Sequence, residues 1–218
     1  MKIIVTGATG NAGSEVIRQA LLDPTIESVT ALVRKPLEVD HPKLTVILQQ
    51  NFLDYSGLTE VFRNHDACIW CLGISQTLVS KAEYNVITYD YTLAGANSML
   101  TANPTITFVF LSGMGADQSE KSSTLFARVK GKSEKALLKL PFKKLYFARP
   151  SGIKPEHIRK TAPWFEKLFF RLYPVLNVLI PKLIITSTEL AKAMLYLVKN
   201  GYDKTIVENA ELKELSKK

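Results

Sequence analysis

Cysteine is scarce in this sequence: two occur in 218 residues, both within Cys68-Ile69-Trp70-Cys71. Redox motifs of C-x-x-C form sit at a helix N-terminus, where a thiolate is stabilised. Here the pair stands inside an apolar, strand-like run, and residues three apart on a strand face opposite ways. Both are therefore read as buried structural thiols, with no redox or metal site. Also missing is any succession of basic region, apolar segment and cleavage site at the N-terminus, because the chain enters a strand at once. That argues against export and for a cytoplasmic protein. No apolar run is long and unbroken. Residues 164–185 are rich in aromatic and aliphatic side chains, but Glu166, Lys167, Arg171, Pro174, Pro181 and Lys182 interrupt them, which excludes a transmembrane helix. Internal repeats, low-complexity linkers and nucleic-acid-binding modules are absent too, so the formal charge of +8 reads as a solvated basic surface without a nucleic-acid partner.

What is present is a globular composition, 46% hydrophobic and 22% charged, enough for one core with a small C-terminal annex. The informative stretch comes first. The apolar run Ile3-Ile4-Val5 predicts a buried strand, and Ser14 to Leu22 predicts a helix. Between them Gly7, Gly10 and Gly13 are spaced G-x-x-G-x-x-G. Gly7 permits a tight exit from the strand, Gly10 removes a side chain where a pyrophosphate must approach backbone, and Gly13 lets the helix pack closely on the sheet. The N–H groups opening the helix, with the positive end of its dipole behind them, then face phosphate. A glycine triplet at a first strand–helix junction indicates a bound dinucleotide.

Further strands are expected over 28–33, 44–49, 67–73, 105–111 and 144–149. Helices between them cover Leu58, Val61 and Phe62, then 81–103 and 124–140. This alternation predicts an α/β fold, a Rossmann-type doubly wound parallel sheet with helices on both faces. The second strand ends in Arg34-Lys35-Pro36. An acid there would hold the 2′-hydroxyl of NAD, whereas cations accommodate the 2′-phosphate of NADP, so NADP is the expected cofactor. Asp54 either approaches the adenine edge or caps the following helix. Beyond Pro150 the texture changes, which suggests a division into residues 1–155, the cofactor domain, and 156–218, a substrate-side lid packed on it. A basic amphipathic surface touching membrane or a partner is the other reading of 164–185. An amphipathic helix near 188–198, a short strand at 205–207 and a charged tail complete the chain.

The motifs Thr6-Gly7-Ala8-Thr9-Gly10-Asn11-Ala12-Gly13, Ala31-Leu32-Val33-Arg34, Cys71-Leu72-Gly73, Leu111-Ser112, Val129-Lys130-Gly131-Lys132-Ser133-Glu134 and Ala148-Arg149-Pro150-Ser151-Gly152 occur in the order seen in atypical short-chain dehydrogenases. The chain resembles the Tat-interacting-protein type of these oxidoreductases, within the NmrA-like and epimerase-like NAD(P)-binding proteins. The resemblance covers residues 1–155 well and the remainder loosely. It implies a cofactor cradle of Gly7, Thr9, Gly10, Asn11, Ala12 and Gly13, with Arg34 at the 2′-phosphate. Leu72, Gly73 and Pro150 would lie along the cofactor, with Ser112 and Lys130 as catalytic and cofactor-contacting residues. The family's Tyr-x-x-x-Lys motif places a proton-exchanging tyrosine one helical turn before the lysine.

This sequence departs there, reading Phe126-Ala127-Arg128-Val129-Lys130. Phenylalanine keeps the ring and lacks the oxygen, and losing a positioned general acid costs about 10²–10⁴ in rate. Two functions follow. One is an NADPH-dependent oxidoreductase acting on a small carbonyl or quinone-like substrate, with a substitute donor such as Tyr84, Tyr89, Tyr91, His157 or water. The other is an NADP(H)-binding sensor or scaffold without catalysis.

Overall fold

The computed structural model describes residues 1–156 and 183–218. His157, and the proposed lid as far as residue 182, lie outside the described residues. Among the described residues, seven strands form one parallel sheet: β1 (Lys2–Thr6), β2 (Ser28–Val33), β3 (Leu44–Leu48), β4 (Ala67–Trp70), β5 (Thr107–Leu111), β6 (Leu145–Arg149) and β9 (Ile206–Glu208). Their order is β3-β2-β1-β4-β5-β6-β9. A second, two-stranded parallel pair joins β7 (Gly152–Lys154) to β8 (Ile184–Thr186).

Side-chain alternation along the strands supplies two cores, one for each face. Ile3, Val5, Ile69 and Val109 point to one side, against Val16 and Ile17 of α1 (Asn11–Leu22), Leu190 and Met194 of α6 (Ser187–Asn200), and Leu212 of α7 (Asn209–Leu215). Ile4, Cys68, Trp70, Phe108 and Phe110 point to the other. They meet Phe62 of α2 (Thr59–Arg63), Ala96 and Met99 of α4 (Tyr91–Ala102), and Leu137 of α5 (Leu125–Leu137). Strands buried on both sides explain the near-continuous apolar runs. Cys68 and Cys71 do fall on opposite faces, and burial pushes both thiols up, Cys71 to about 12.

Three elements differ from the sequence expectation. The predicted helix over 81–103 is α3 (Lys81–Asn85), a π turn (Val86–Asp90) and α4. At the π turn the Thr88 carbonyl accepts from the Thr92 hydroxyl at 2.8 Å and the Ser133 hydroxyl at 3.2 Å. The charged tail is helix α7, whose start is tied by Glu211 accepting the Glu208 N–H at 3.0 Å. Residues 183–218 carry structural elements of their own. They supply β9, which pairs with β6, and α6, which packs on α1, so the main sheet and its core draw on both sides of position 155. Glu15 of α1 fastens this layer by accepting from the Thr188 hydroxyl at 2.8 Å.

At the N-terminal edge of the sheet, buried His65 lies 2.8 Å from the Thr30 hydroxyl through Nε2, while Nδ1 faces the Val61 carbonyl. A carbonyl only accepts, so Nδ1 carries the hydrogen and Nε2 accepts from Thr30. Burial lowers the His65 pKa below its ordinary 6.5. Its neutral form therefore contributes stability that is full above about 6.5 and is lost as pH falls through the lower folded value. Thermal unfolding from pH 7.5 to 5 should show wild type losing stability relative to His65→Gln, which accepts from Thr30 without titrating. Parallel curves would remove this role.

Candidate functional site: a cleft at the carboxyl edge of the sheet

Gly7 follows the last residue of β1 with φ +68°, in the left-handed region that favours glycine. A β-carbon there would sit 2.3 Å from the Cys71 carbonyl oxygen, and one on Gly13 would sit 2.3 Å from the Gly7 carbonyl oxygen. Both are contacts with backbone, which cannot swing aside. Gly10 differs: its N–H donates to Gly7 O at 2.9 Å, and the nearest atom to an added β-carbon is Gly7 O at 3.2 Å. Among the described residues no other atom beyond its chain neighbours lies within 4 Å of that position, so the side of Gly10 where a side chain would stand is otherwise open. Gly10 caps α1 without any side-chain hydrogen bond, and the first turn holds no acid. The N–H groups of Asn11, Ala12 and Gly13 are thus left for an external anion.

This loop forms one wall of a cleft of about 650 Å³. Leu32, Val33, Arg34 and Lys35 enter from the end of β2, Gln50 and Phe52 from beyond β3, and Cys71, Leu72 and Gly73 from beyond β4. The cleft lies where strand order reverses between β1 and β4, the place at which open α/β sheets bind ligands. No carboxylate lines it among the described residues, while Arg34 and Lys35 do. The Arg34 carbonyl accepts from Gln50 Nε2 at 2.9 Å, and the Leu72 N–H donates to the Thr6 hydroxyl at 3.1 Å. Loops from β1, β2, β3 and β4 are thereby cross-tied around one space. Asp54 does not line it. Its carboxylate accepts the Ser56 N–H at 2.9 Å, at the start of the turn Ser56–Leu58 that precedes α2. That contact is an Asx turn leading into the helical segment, and neither Ser56–Leu58 nor α2 carries a side-chain cap hydrogen bond.

Ser112, Lys130 and Pro150 lie at the ends of β5 and β6 and on α5, outside the residues lining the cleft. The Pro150 carbonyl accepts the Met114 N–H at 2.9 Å. Lys130 is buried, donates to the Leu111 carbonyl at 2.6 Å and sits 4.5 Å over the Phe110 ring. Burial lowers it to about 8, opposed by Cys71 and Glu134. The Ser112 hydroxyl donates to Glu134 Oε1 at 2.6 Å. Fully buried Glu134 also receives Gln118 Nε2 at 2.8 Å and both Nε and Nη2 of Arg149, and Arg149 reaches on to Glu208 at 3.2 Å. A carboxylate gripped by a bidentate guanidinium accepts only. The single Ser112 hydrogen is thus committed to Glu134.

Phe126 meets Gly113 tip first: a β-carbon on Gly113 would be 2.4 Å from Cζ and farther from either Cε. The Phe126 N–H donates to Gln76 Oε1 at 2.8 Å. Sequence reasoning missed Glu134, Arg149, Gln118 and Gln76. Glu134 and Arg149 stood within quoted motifs, but no spacing links them. Tyr84 is buried, and Tyr89 lies beneath the Lys132 ammonium at 3.9 Å.

The three glycines separate by experiment. Gly7→Ala and Gly13→Ala should each lose about 1–3 kcal/mol in urea unfolding, the cost of forcing atoms into packed space. Gly10→Ala should unfold within about 0.5–1 kcal/mol of wild type while losing dinucleotide binding by thermal shift. Equal stability loss at all three would remove the assignment of Gly10 to a ligand.

Residues 7–139 match the family model described as NAD(P)H-binding. Protein HTATIP2 of Rattus norvegicus is 27% identical over 176 residues, covering 79% of this chain and 71% of that protein. Among solved structures, Gre2 of Candida albicans in complex with NADPH is 15% identical with a TM-score of 0.73, over 95% of this chain and 77% of that one. The Bordetella bronchiseptica enzyme WbmH in complex with NAD+ is 14% identical with a TM-score of 0.71, over 99% and 79%. At such identities these two structures share the fold. With the match spanning the glycine loop, the cleft and α5, this chain belongs to the NAD(P)H-binding family.

Proposed function

We propose that the chain binds NADPH in preference to NADH and is an oxidoreductase for a quinone-like hydride acceptor. The observation that carries the cofactor half is the pair Arg34 and Lys35, which line the cleft at the end of β2 with no carboxylate among the described lining residues. Cations at that strand end suit a 2′-phosphate, and an acid would suit a free 2′-hydroxyl. The residues present fit the dinucleotide in other respects. Gly7 and Gly13 bring α1 against the loop without intervening side chains, Gly10 clears the approach to backbone, and the first turn of α1 offers unpaired N–H groups. NADPH, when bound, supplies a hydride.

The substrate half rests on what the described side chains do with protons. Phe126 has no oxygen, the Ser112 hydrogen goes to Glu134, and Lys130 is directed at the Leu111 carbonyl. Reducing a simple ketone leaves an alkoxide about as basic as hydroxide, whose parent water has a pKa of about 15.7. That product needs a positioned acid. A reduced quinone leaves a phenolate-like oxyanion, with a pKa near the ~10 of tyrosine, and water protonates it readily. The balance is quinone plus hydride plus one solvent proton, giving hydroquinone. The second reading, an NADP(H)-binding sensor or scaffold, is favoured by the same committed hydrogen on Ser112.

Two measurements decide. Arg34→Asp should weaken NADPH by about 10–100-fold, the worth of a hydrogen bond to a charged group, and NADH by much less; equal losses would refute the 2′-phosphate role. NADPH oxidation should proceed with menadione and benzoquinone well above that with cyclohexanone or benzaldehyde. Binding without turnover of any of them would leave the sensor, and faster ketone than quinone reduction would defeat the substrate assignment.

A further inference from the structure

Opposite the cleft, at the N-terminal ends of β5 and β6, residues 138–144 form a turn, Leu138-Lys139-Leu140-Pro141-Phe142-Lys143-Lys144. Local backbone bonds fix its shape: Lys139 N–H to Ala136 O at 3.1 Å, Leu140 N–H to Leu137 O at 3.0 Å, and Phe142 N–H to Leu140 O at 2.8 Å. Phe142 turns inward, its ring 5.3 Å from that of Phe108, and the Lys144 carbonyl accepts the Phe108 N–H at 2.9 Å. The turn is therefore anchored to the core at its C-terminal half. Its outward side chains are Leu138, 48% exposed, and the exposed Lys139, Pro141, Lys143 and Lys144.

These cations differ from their neighbours. Lys135 pairs with Glu120 and Lys204 with Glu211. Lys139, Lys143 and Lys144 have no carboxylate partner among the described residues. The adjoining groove of about 300 Å³ is lined by Lys143, Lys144, Lys204, Tyr146 and Tyr202, with Asp203 its one carboxylate. Three lysines without a described carboxylate partner thus stand beside the half-exposed Leu138, a pairing of cations with an apolar side chain that complements an anionic surface with an apolar interior.

We propose that the 138–144 turn is a docking surface for an anionic lipid membrane. Leu138 enters the interface between headgroups and acyl chains, while the three ammonium groups lie at headgroup level. Nucleic acid fits less well, because the exposed Leu138 beside these lysines meets acyl chains in a membrane and no apolar partner along a phosphate backbone. Docking here leaves the cofactor cleft open, since the length of the strands, about 17 Å, separates the two edges. The proposal stands independently of which cofactor the cleft takes.

Co-sedimentation of the whole chain with vesicles tests it. The protein should bind vesicles of phosphatidylcholine mixed with phosphatidylserine and not those of phosphatidylcholine alone, with affinity falling as salt rises. K139E/K143E/K144E should weaken binding on the order of 100-fold, and Leu138→Asp several-fold, with circular dichroism and unfolding midpoint unchanged. If the glutamate variant fails to fold, K139Q/K143Q/K144Q gives the same reading with a smaller loss. No binding at low salt, equal binding to both vesicles, or binding unmoved by the folded lysine variant would overturn the proposal.

Discussion

The carboxyl edge of the sheet depends on backbone approaching backbone at two glycines. The Gly7 α-carbon lies under the Cys71 carbonyl and the Gly13 α-carbon on the Gly7 carbonyl, each too close for a β-carbon. β1, β4 and α1 are thereby joined with no side chain between them. That contact aims the uncapped first turn of α1 into the cleft and brings the Thr6 hydroxyl within 3.1 Å of the Leu72 N–H. Glycine loses more entropy on folding than other residues, so a loop this rich in it is costly unless its geometry is needed. The geometry is needed twice, for packing at Gly7 and Gly13 and for ligand approach at Gly10.

A second centre, built on opposite principles, lies two strands away. There the organising group is a buried carboxylate. Glu134 collects Ser112 from the end of β5, Gln118 from the loop beyond it and Arg149 from β6, and Arg149 carries the linkage on to Glu208 of β9. Removing one member of a buried ion pair leaves an uncompensated charge and costs about 3–5 kcal/mol. This network therefore holds the ends of three strands in fixed relation. It also uses up the hydroxyl that the family resemblance assigned to catalysis. The same side chain cannot direct its only hydrogen to Glu134 and to a ligand.

The sheet was legible because its signal is local and redundant. Doubly buried strands read as apolar runs, and the glycine loop and the Arg34–Lys35 strand end are contiguous in sequence. What was not legible is pairwise and distant. Glu134 and Arg149 looked like two charged residues in separate motifs, and only the fold brings them together. The π turn at 86–90 escaped because its helical apolar pattern continues through it, and the Thr92 and Ser133 hydroxyls that take up the Thr88 carbonyl there are brought to it only by the fold. The C-terminal helix was hidden by charge: in 209–215 only Leu212 and Leu215 mark a buried apolar face, too few to show a period.

Phe126 shows how binding and chemistry can part within one site. The binding features are glycines and a helix end, and at Gly7 and Gly13 replacement disturbs the fold itself. A proton donor is one oxygen on one ring, and the ring can pack without it. Here the packing has moved on, because Cζ points at Gly113 and leaves less than a methyl group's room. An oxygen added to Cζ would be driven toward the Gly113 backbone, which the Ala116 N–H holds through the Gly113 carbonyl at 3.2 Å. The position therefore differs from a tyrosine by more than one atom. Its ring is a wedge between α5 and the loop after β5, and restoring the donor requires that the ring first be placed elsewhere.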